Sequence, residues 1–232
     1  VFPFFLFAVG NAMSFVMPKL EAAGDGAFWK KVIKRTLIIF GIGLFLNWWP
    51  FVTEVHRLIE GTNQLQSVSV FKGFTWLDYS KDNAGNIVET IKGVRILGVL
   101  QRIALCYFFA SVIVYYMKVR KAFLVGLILL LLYWMFCFIG NPSDPYSLNG
   151  WFGTAIDKRI LGEVHLYKGE GVYFDPEGLV STLPAIVQVI FGYLIGVYIQ
   201  NKSKEPSGET SKMTNTGTGM YQMLTGLFVI GV

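Results

Sequence analysis

Two arginines seven residues apart, Arg95 and Arg102, stand at the head of the run Gly93 to Met117, which is otherwise apolar enough to cross a bilayer. On a helix that spacing puts both guanidinium groups on one face, about two turns apart. Gln101 adds an amide beside Arg102. An arginine within the membrane costs at least ~2.5 kcal/mol, so it is expected to face a partner or a wet cavity. Three outcomes fit: a polar site inside a helix bundle, a structural bridge to a carboxylate, or a stem that snorkels to the interface.

Carboxylates are available in Tyr173-Phe174-Asp175-Pro176-Glu177-Gly178, just before another apolar run. Acids at a helix start favour the positive end of its dipole, and Pro176 suits that position. Capping therefore competes with a catalytic role for Asp175 and Glu177, and Glu177 is also a candidate partner for Arg95 or Arg102. Ser181 and Thr182 follow closely, and Asn47 ends the second apolar run. Of the two histidines, His165 lies in the segment feeding these acids and is a candidate substrate contact. His56 falls on a polar stretch and carries no expected role. The spacings of metal ligands, of a Walker loop and of a Gly-x-Ser-x-Gly elbow do not occur, so no metal is expected.

The elements that must position these residues are apolar runs. The 232 residues are 53% hydrophobic and 15% charged, well below the charge of a soluble domain. This predicts one all-α, polytopic membrane bundle over 1–232, with six spans, the first and last incomplete. The first span covers 1–17 and is expected to end at Pro18, with Asn11 and Ser14 as a polar stripe for helix–helix hydrogen bonds. The second runs from Thr36 to Phe51 and closes with Trp48 and Trp49, whose rings favour the membrane interface. The third is the Arg-bearing run. The basic turn 118–121 leads to the fourth, Ala122–Ile139. The fifth, Leu179–Gln200, is interrupted by Pro184, and the sixth begins near Thr218. Cys106 and Cys137 read as small buried residues.

Between the spans lie two polar excursions, 52–92 and 141–178. Residues 52–60 suggest a short surface helix with Val55, Leu58 and Ile59 on one side. The alternation in Ser67–Phe71 and the turn signal at 82–86 suggest a small hairpin. Loops 18–35, 118–121 and 201–217 hold eleven Lys and Arg against four acids, whereas 52–95 and 141–178 hold eight against eleven. The positive-inside rule places the three loops in the cytoplasm and both excursions outside. The net charge of +5 gathers beside apolar runs and gives no sign of nucleic-acid binding.

The segments VFPFFLFAVGNAMSF, KRTLIIFGIGLFLN, VRILGVLQRIALCYF, and IDKRILGEVHLY followed by YFDPEGLVSTLPAIV resemble, in order, the heparan-α-glucosaminide N-acetyltransferase family. Only 52–92 and the tail loop are unmatched. The resemblance implies an acetyl-CoA-dependent sugar N-acetyltransferase of the bacterial inner membrane. Such an enzyme moves acetyl from the cytosol to an amino sugar or glycan outside. It implies that Arg95, Arg102 and Glu177 match cleft residues of the family, with Asn47, Gln101, His165 and Asp175 beside them. Lys30, Lys31, Lys34 and Arg35 could hold CoA phosphates. The chain opens and closes inside apolar runs and is expected to be a piece of a longer protein. The family's catalytic histidine would then lie upstream of Val1, and this piece alone is expected to be inactive. The expected partners are the lipid bilayer, acetyl-CoA and the acceptor sugar, and a homodimer is one assembly the chain could form. The competing expectation is an amino-sugar transporter, for which Pro184 is the single hint.

Overall fold

The structure, a computed structural model, describes residues 2–59, 62, 64–81, 85–148, 150–169 and 172–204. The expected sixth span, the loop beyond 204 and residues 82–84 of the expected turn lie outside them. The chain divides into two units, Val1–Tyr198 and Ile199–Val232. Of the second, the described part is the end of one helix, where Ser203 Oγ donates to the Ile199 carbonyl at 2.9 Å. Apart from the end of that helix, everything below concerns the first.

Among the described residues, three helices are long and apolar enough to cross a membrane, Pro3–Ala23, Val99–Gly140 and Thr182–Ser203. They support an integral membrane protein. The all-α bundle of six spans is not what forms. Helices α1 (Phe2–Ala23), α2 (Asp25–Trp48), α3 (Val99–Gly140), α4 (Gly153–Leu161) and α5 (Thr182–Lys204) are joined by three two-stranded antiparallel sheets. The first sheet pairs β1 (Val52–Leu58) with β2 (Leu65–Phe71), and the second pairs β3 (Thr75–Lys81) with β4 (Ile87–Gly93). The short β5 (Lys168–Gly169) and β6 (Val172–Tyr173) form the third.

Each departure from the expected bundle has a local cause. Helix α1 runs through Pro18. Pro18 cannot donate to the carbonyl of Ser14, yet a membrane helix tolerates that loss where neighbours supply bonds. Helix α2 falls short of a span because Lys30, Lys31, Lys34 and Arg35 leave an uncharged run of only 13 residues, Thr36 to Trp48. Residues 52–58 are a strand rather than a surface helix, and Val55 is buried while Leu58 is exposed.

The residues expected as third and fourth spans form the single element α3. Its backbone leaves helical geometry at Lys118, with φ 56° and ψ −179°. Arg102 of the first arm reaches the Ser181 carbonyl just before α5, while in the second arm Phe123 meets Phe191 and Gly126 lies against Val187 of the same helix. The two arms of α3 therefore lie side by side. Pro184 sits in the first turn of α5 and does not interrupt it, because the amides of a first turn have no intrahelical acceptor to lose.

Helix α2 packs antiparallel to the first arm of α3. At one end Phe28 stacks on Tyr115 at 3.8 Å, and the Tyr115 hydroxyl donates to Asp25 at 2.7 Å. At the other end Asn47 Nδ2 donates to the Arg95 carbonyl at 3.0 Å. Helices α1 and α5 meet backbone to backbone: a Cβ on Gly10 would strike Val189, and one on Gly192 would strike Phe7. Small residues at membrane interfaces permit this approach.

Candidate functional site

The polar residues singled out in the sequence gather where the chain enters α3 and α5. Before α3, Arg95 sits in an irregular stretch held by the Asn47 bond to its carbonyl. Before α5, residues 175–181 make consecutive tight turns. Asp175 Oδ1 accepts the Glu177 amide at 3.0 Å. Ser181 Oγ donates to the carbonyls of Pro176 at 2.9 Å and Gly178 at 3.0 Å. Thr182 Oγ1 donates to the Gly178 carbonyl at 2.9 Å. This local bonding is why Asp-Pro-Glu-Gly-x-x-Ser-Thr folds as a stack of turns and then a helix.

Arg95 clamps the two acids. Its Nε donates to Asp175 Oδ2 at 3.1 Å and its Nη2 to Asp175 Oδ1 at 2.5 Å. Nη2 also donates to Glu177 Oε2. The Arg95 side chain is 26% exposed, that of Glu177 17%, and that of Asp175 is wholly buried. The ring of Tyr167 lies under the guanidinium at 4.9 Å. A forked cation against a buried carboxylate is the strong form of ion pair, and it fixes orientation as well as charge. Of the expected alternatives, the bridge to Asp175 and Glu177 is the one Arg95 adopts.

Arg102 binds the same turns by a different route. Its Nη1 donates to the Pro176 carbonyl and its Nη2 to the Ser181 carbonyl, both at 2.8 Å. One arginine thus holds the acids' side chains and the other holds the backbone that carries them. Gln101 is buried at 1% exposure, with its Nε2 lacking a hydrogen-bond partner among the described residues. It lies against α2, where a Cβ on Gly43 would come within 2.7 Å of its Oε1.

His165 is placed by a 3₁₀ turn, Glu163–His165, and is 8% exposed. Its Nδ1 donates to the Val94 carbonyl at 2.7 Å, and its ring lies 4.4 Å from that of Phe74. It braces the strand leading to Arg95 from behind. Lys30, Lys31, Lys34 and Arg35 are exposed on the first half of α2. Arg35 is 12 residues before Asn47, about 18 Å along the helix, so the structure does not bring these cations to the Arg95 cluster. Arg35 lies 5.1 Å from the Tyr107 ring. The two line a shallow pocket with Val9, Met13 and Met17.

Asp157 was missed in the sequence. It projects from α4 beneath the acid turn, and its Oδ1 accepts the Leu179 amide at 3.0 Å. It is fully buried, and its Oδ2 has no hydrogen-bond partner among the described residues. Burial pushes its carboxyl up to about 6, and nearby Asp175 adds to the rise, while the amides of Leu179 and Val180 oppose it. An acid followed by Lys158 and Arg159 reads as a solvated helix face, so no local signal marked it. Tyr167 was also missed, and only its place beside His165 hinted at it.

No model of a known protein family matches the chain, and no curated protein matches it. The geometry must speak for itself. Among the described residues no group of His, Cys, Asp and Glu could hold a metal ion. What the cluster can do is present a rigid, mixed-charge surface at the mouth of two helices. Both of its carboxylates are occupied by Arg95, so neither is poised as a free base.

Proposed function

We propose that the chain is the membrane-embedded part of an acyltransferase that takes acetyl from acetyl-CoA on the cytoplasmic side and delivers it to the amine of an amino sugar outside. The observation that carries this reading is the Arg95–Asp175 pair. It joins the segments Val-Arg-Ile-Leu-Gly-Val-Leu-Gln-Arg and Asp-Pro-Glu-Gly, 80 residues apart in sequence, and these are the segments on which the resemblance to heparan-α-glucosaminide N-acetyltransferases rests. Arg102 closes the same contact from the second arginine of that run.

The arrangement suits a two-sided reaction. The bacterial inner membrane is the setting we assign, with 18–35, 118–121 and 201–217 in the cytoplasm. In this reading α2 crosses in the shelter of the first arm of α3, although its own uncharged run is short, so its four cations face the cytosol and the Arg95 cluster faces outward at the other end of the same helix. Exposed lysines and an arginine fit the charge of CoA phosphates. Acetyl-CoA, when bound, supplies the activated acyl group. Transfer forms a C–N bond to the acceptor amine and breaks the thioester C–S bond, and the proton lost by the amine ends on the departing thiol. In this reading Arg95 and Arg102 hold the acceptor side rigid, and Asn47 sets the height of Arg95. An uptake role would call for a helix broken near the middle of the membrane. Pro184, the residue that could have broken α5, leaves it whole.

The test is thermal unfolding of the detergent-purified chain against rising acetyl-CoA. A ligand that binds only the folded form raises its apparent stability with concentration. A saturable rise is expected, reduced when Lys30, Lys31, Lys34 and Arg35 are replaced together by Gln. A midpoint that stays put into the millimolar range would overturn the reading.

A further inference from the structure

The end of α2 and the foot of the first hairpin carry an unbroken collar of aromatic and apolar side chains. Phe45, Trp49 and Phe51 form a triangle with ring centroids 5.4, 5.6 and 6.5 Å apart. Trp48 extends it to Phe51 and Phe74, at 6.4 and 6.5 Å. The hairpin pair Val52↔Phe71 stands next to Phe51. These rings are not a core. Trp49 is 62% exposed, Phe71 70%, Val52 54% and Phe45 54%.

The collar is also fixed in place. Trp48 Nε1 donates to the Lys72 carbonyl at 2.6 Å, Lys72 Nζ donates to the Asn47 carbonyl at 3.3 Å, and the Lys72 amide donates to the Phe51 carbonyl at 2.7 Å. A large apolar surface held rigid and left open calls for a partner. Two observations say which. The collar continues the exposed apolar stripe of α2, Ile38, Ile42, Phe45 and Leu46, and α2 lies along the first arm of α3, which is apolar enough to span a bilayer. Moreover, the composition changes along the hairpin. Past the foot the exposed side chains are mainly polar, Glu54, His56, Arg57, Gln66 and Ser67, with Val68, Leu58 and Ile59 the apolar exceptions, and the last strand pair, Leu58↔Leu65, lies about 20 Å beyond the first. Aromatic rings at the foot and charge beyond it match the gradient from headgroup to water.

We infer that this collar is a lipid anchor that seats the foot of the β1–β2 hairpin in a headgroup layer, the outer one in the orientation proposed above. Because Trp49 is two residues past Asn47, and Asn47 holds Arg95, the anchor sets the Arg95–Asp175 cluster at the level of the membrane surface. The inference does not depend on acyl transfer.

Nitroxide scanning of the chain in phosphatidylglycerol–phosphatidylethanolamine vesicles tests it. Cys106 and Cys137 are buried, so labels report single added sites. Labels at Phe71→Cys and Val52→Cys should collide more often with oxygen than with a water-soluble nickel chelate, and a label at Ser67→Cys should show the reverse. Nickel-favoured collisions at 71 and 52, or low collision with both reagents as under a second protein copy, would overturn the anchor. A second measurement stands if a labelled variant fails to fold. Trp49→Phe should lower the quenching of intrinsic fluorescence by lipids brominated near the headgroup, and unchanged quenching counts against the inference.

Discussion

Asp157 accepts the amide of Leu179 at 3.0 Å with its carboxylate wholly out of solvent. The acid turn of Asp175 and Glu177 therefore rests on a third carboxylate, one that pairs with no cation among the described residues. A Cβ on Gly178 would run into Asp157, so the glycine is what lets the turn settle on it.

Asp157 should make stability fall as pH rises. Its folded value is about 6 against 3.8 for the free side chain, so the native state holds the proton more tightly. Its favourable contribution is complete below 3.8 and is lost as pH rises through about 6. Asp157→Asn keeps an oxygen for Leu179 and cannot ionise. Thermal unfolding in detergent should lose its slope across that window, with a gain above it of up to about 3 kcal/mol. An unaltered slope in the variant would remove Asp157 as its source.

Arg95→Ala should cost about 3–5 kcal/mol, because it strands the buried charge of Asp175. Adding Asp175→Asn should restore part of the loss. A double-mutant cycle by chemical unfolding measures this, and simple additivity would show that the two side chains are not coupled.

Arg102→Lys tests geometry at constant charge. An ammonium cannot reach the Pro176 and Ser181 carbonyls with two prongs. We expect a loss of about 2 kcal/mol and faster amide exchange in Leu179–Leu183. Exchange at the wild-type rate would mean that the turns hold without the fork.

Asp78 predicts the opposite pH trend on the hairpins. Burial would raise its carboxyl, but hydrogen bonds from Lys92 and the His56 amide, with the charge of Lys92, outweigh burial and hold it below 3.8. Lys92 Nζ lies 2.6 Å away and the His56 amide 2.8 Å. The tie between the two hairpins is present above the free-acid value and fails as pH falls through the lowered one. Lys92→Met should weaken it by about 1 kcal/mol and move the failure to higher pH, read as exchange of the His56 amide. An unchanged pH dependence would show that Lys92, which stands on the same hairpin as Asp78, does not tune the carboxylate that holds His56.

The convergence of Arg95, Arg102, Asp175 and Glu177 was legible in the sequence because charge is scarce in apolar runs, and scarce charges must find each other. The break in α3 was legible too, since Lys118 opens the cluster of three cations at 118–121. The hairpins were not. In Val-Thr-Glu-Val-His-Arg-Leu the apolar residues stand three apart as a helix would have them, and the pairing that makes it a strand comes from Leu65–Phe71, outside any local window. Pro18 misled for a related reason: its cost depends on neighbours no single segment reveals. Among the acids, Asp157 looked like one more surface charge, and only the fold buries it.

Lys118 has a left-handed φ on an extended ψ, a combination that suits glycine. It also falls between the two groups of residues that build the cluster. Asn47, Arg95 and Arg102 precede it; Asp157, Asp175, Glu177 and Ser181 follow it. The chain thus has a natural seam, and fragments divided there would carry complementary halves of one lock. Co-expressed as separate polypeptides, they should find each other through Arg95 and Asp175 and reassemble by complementation.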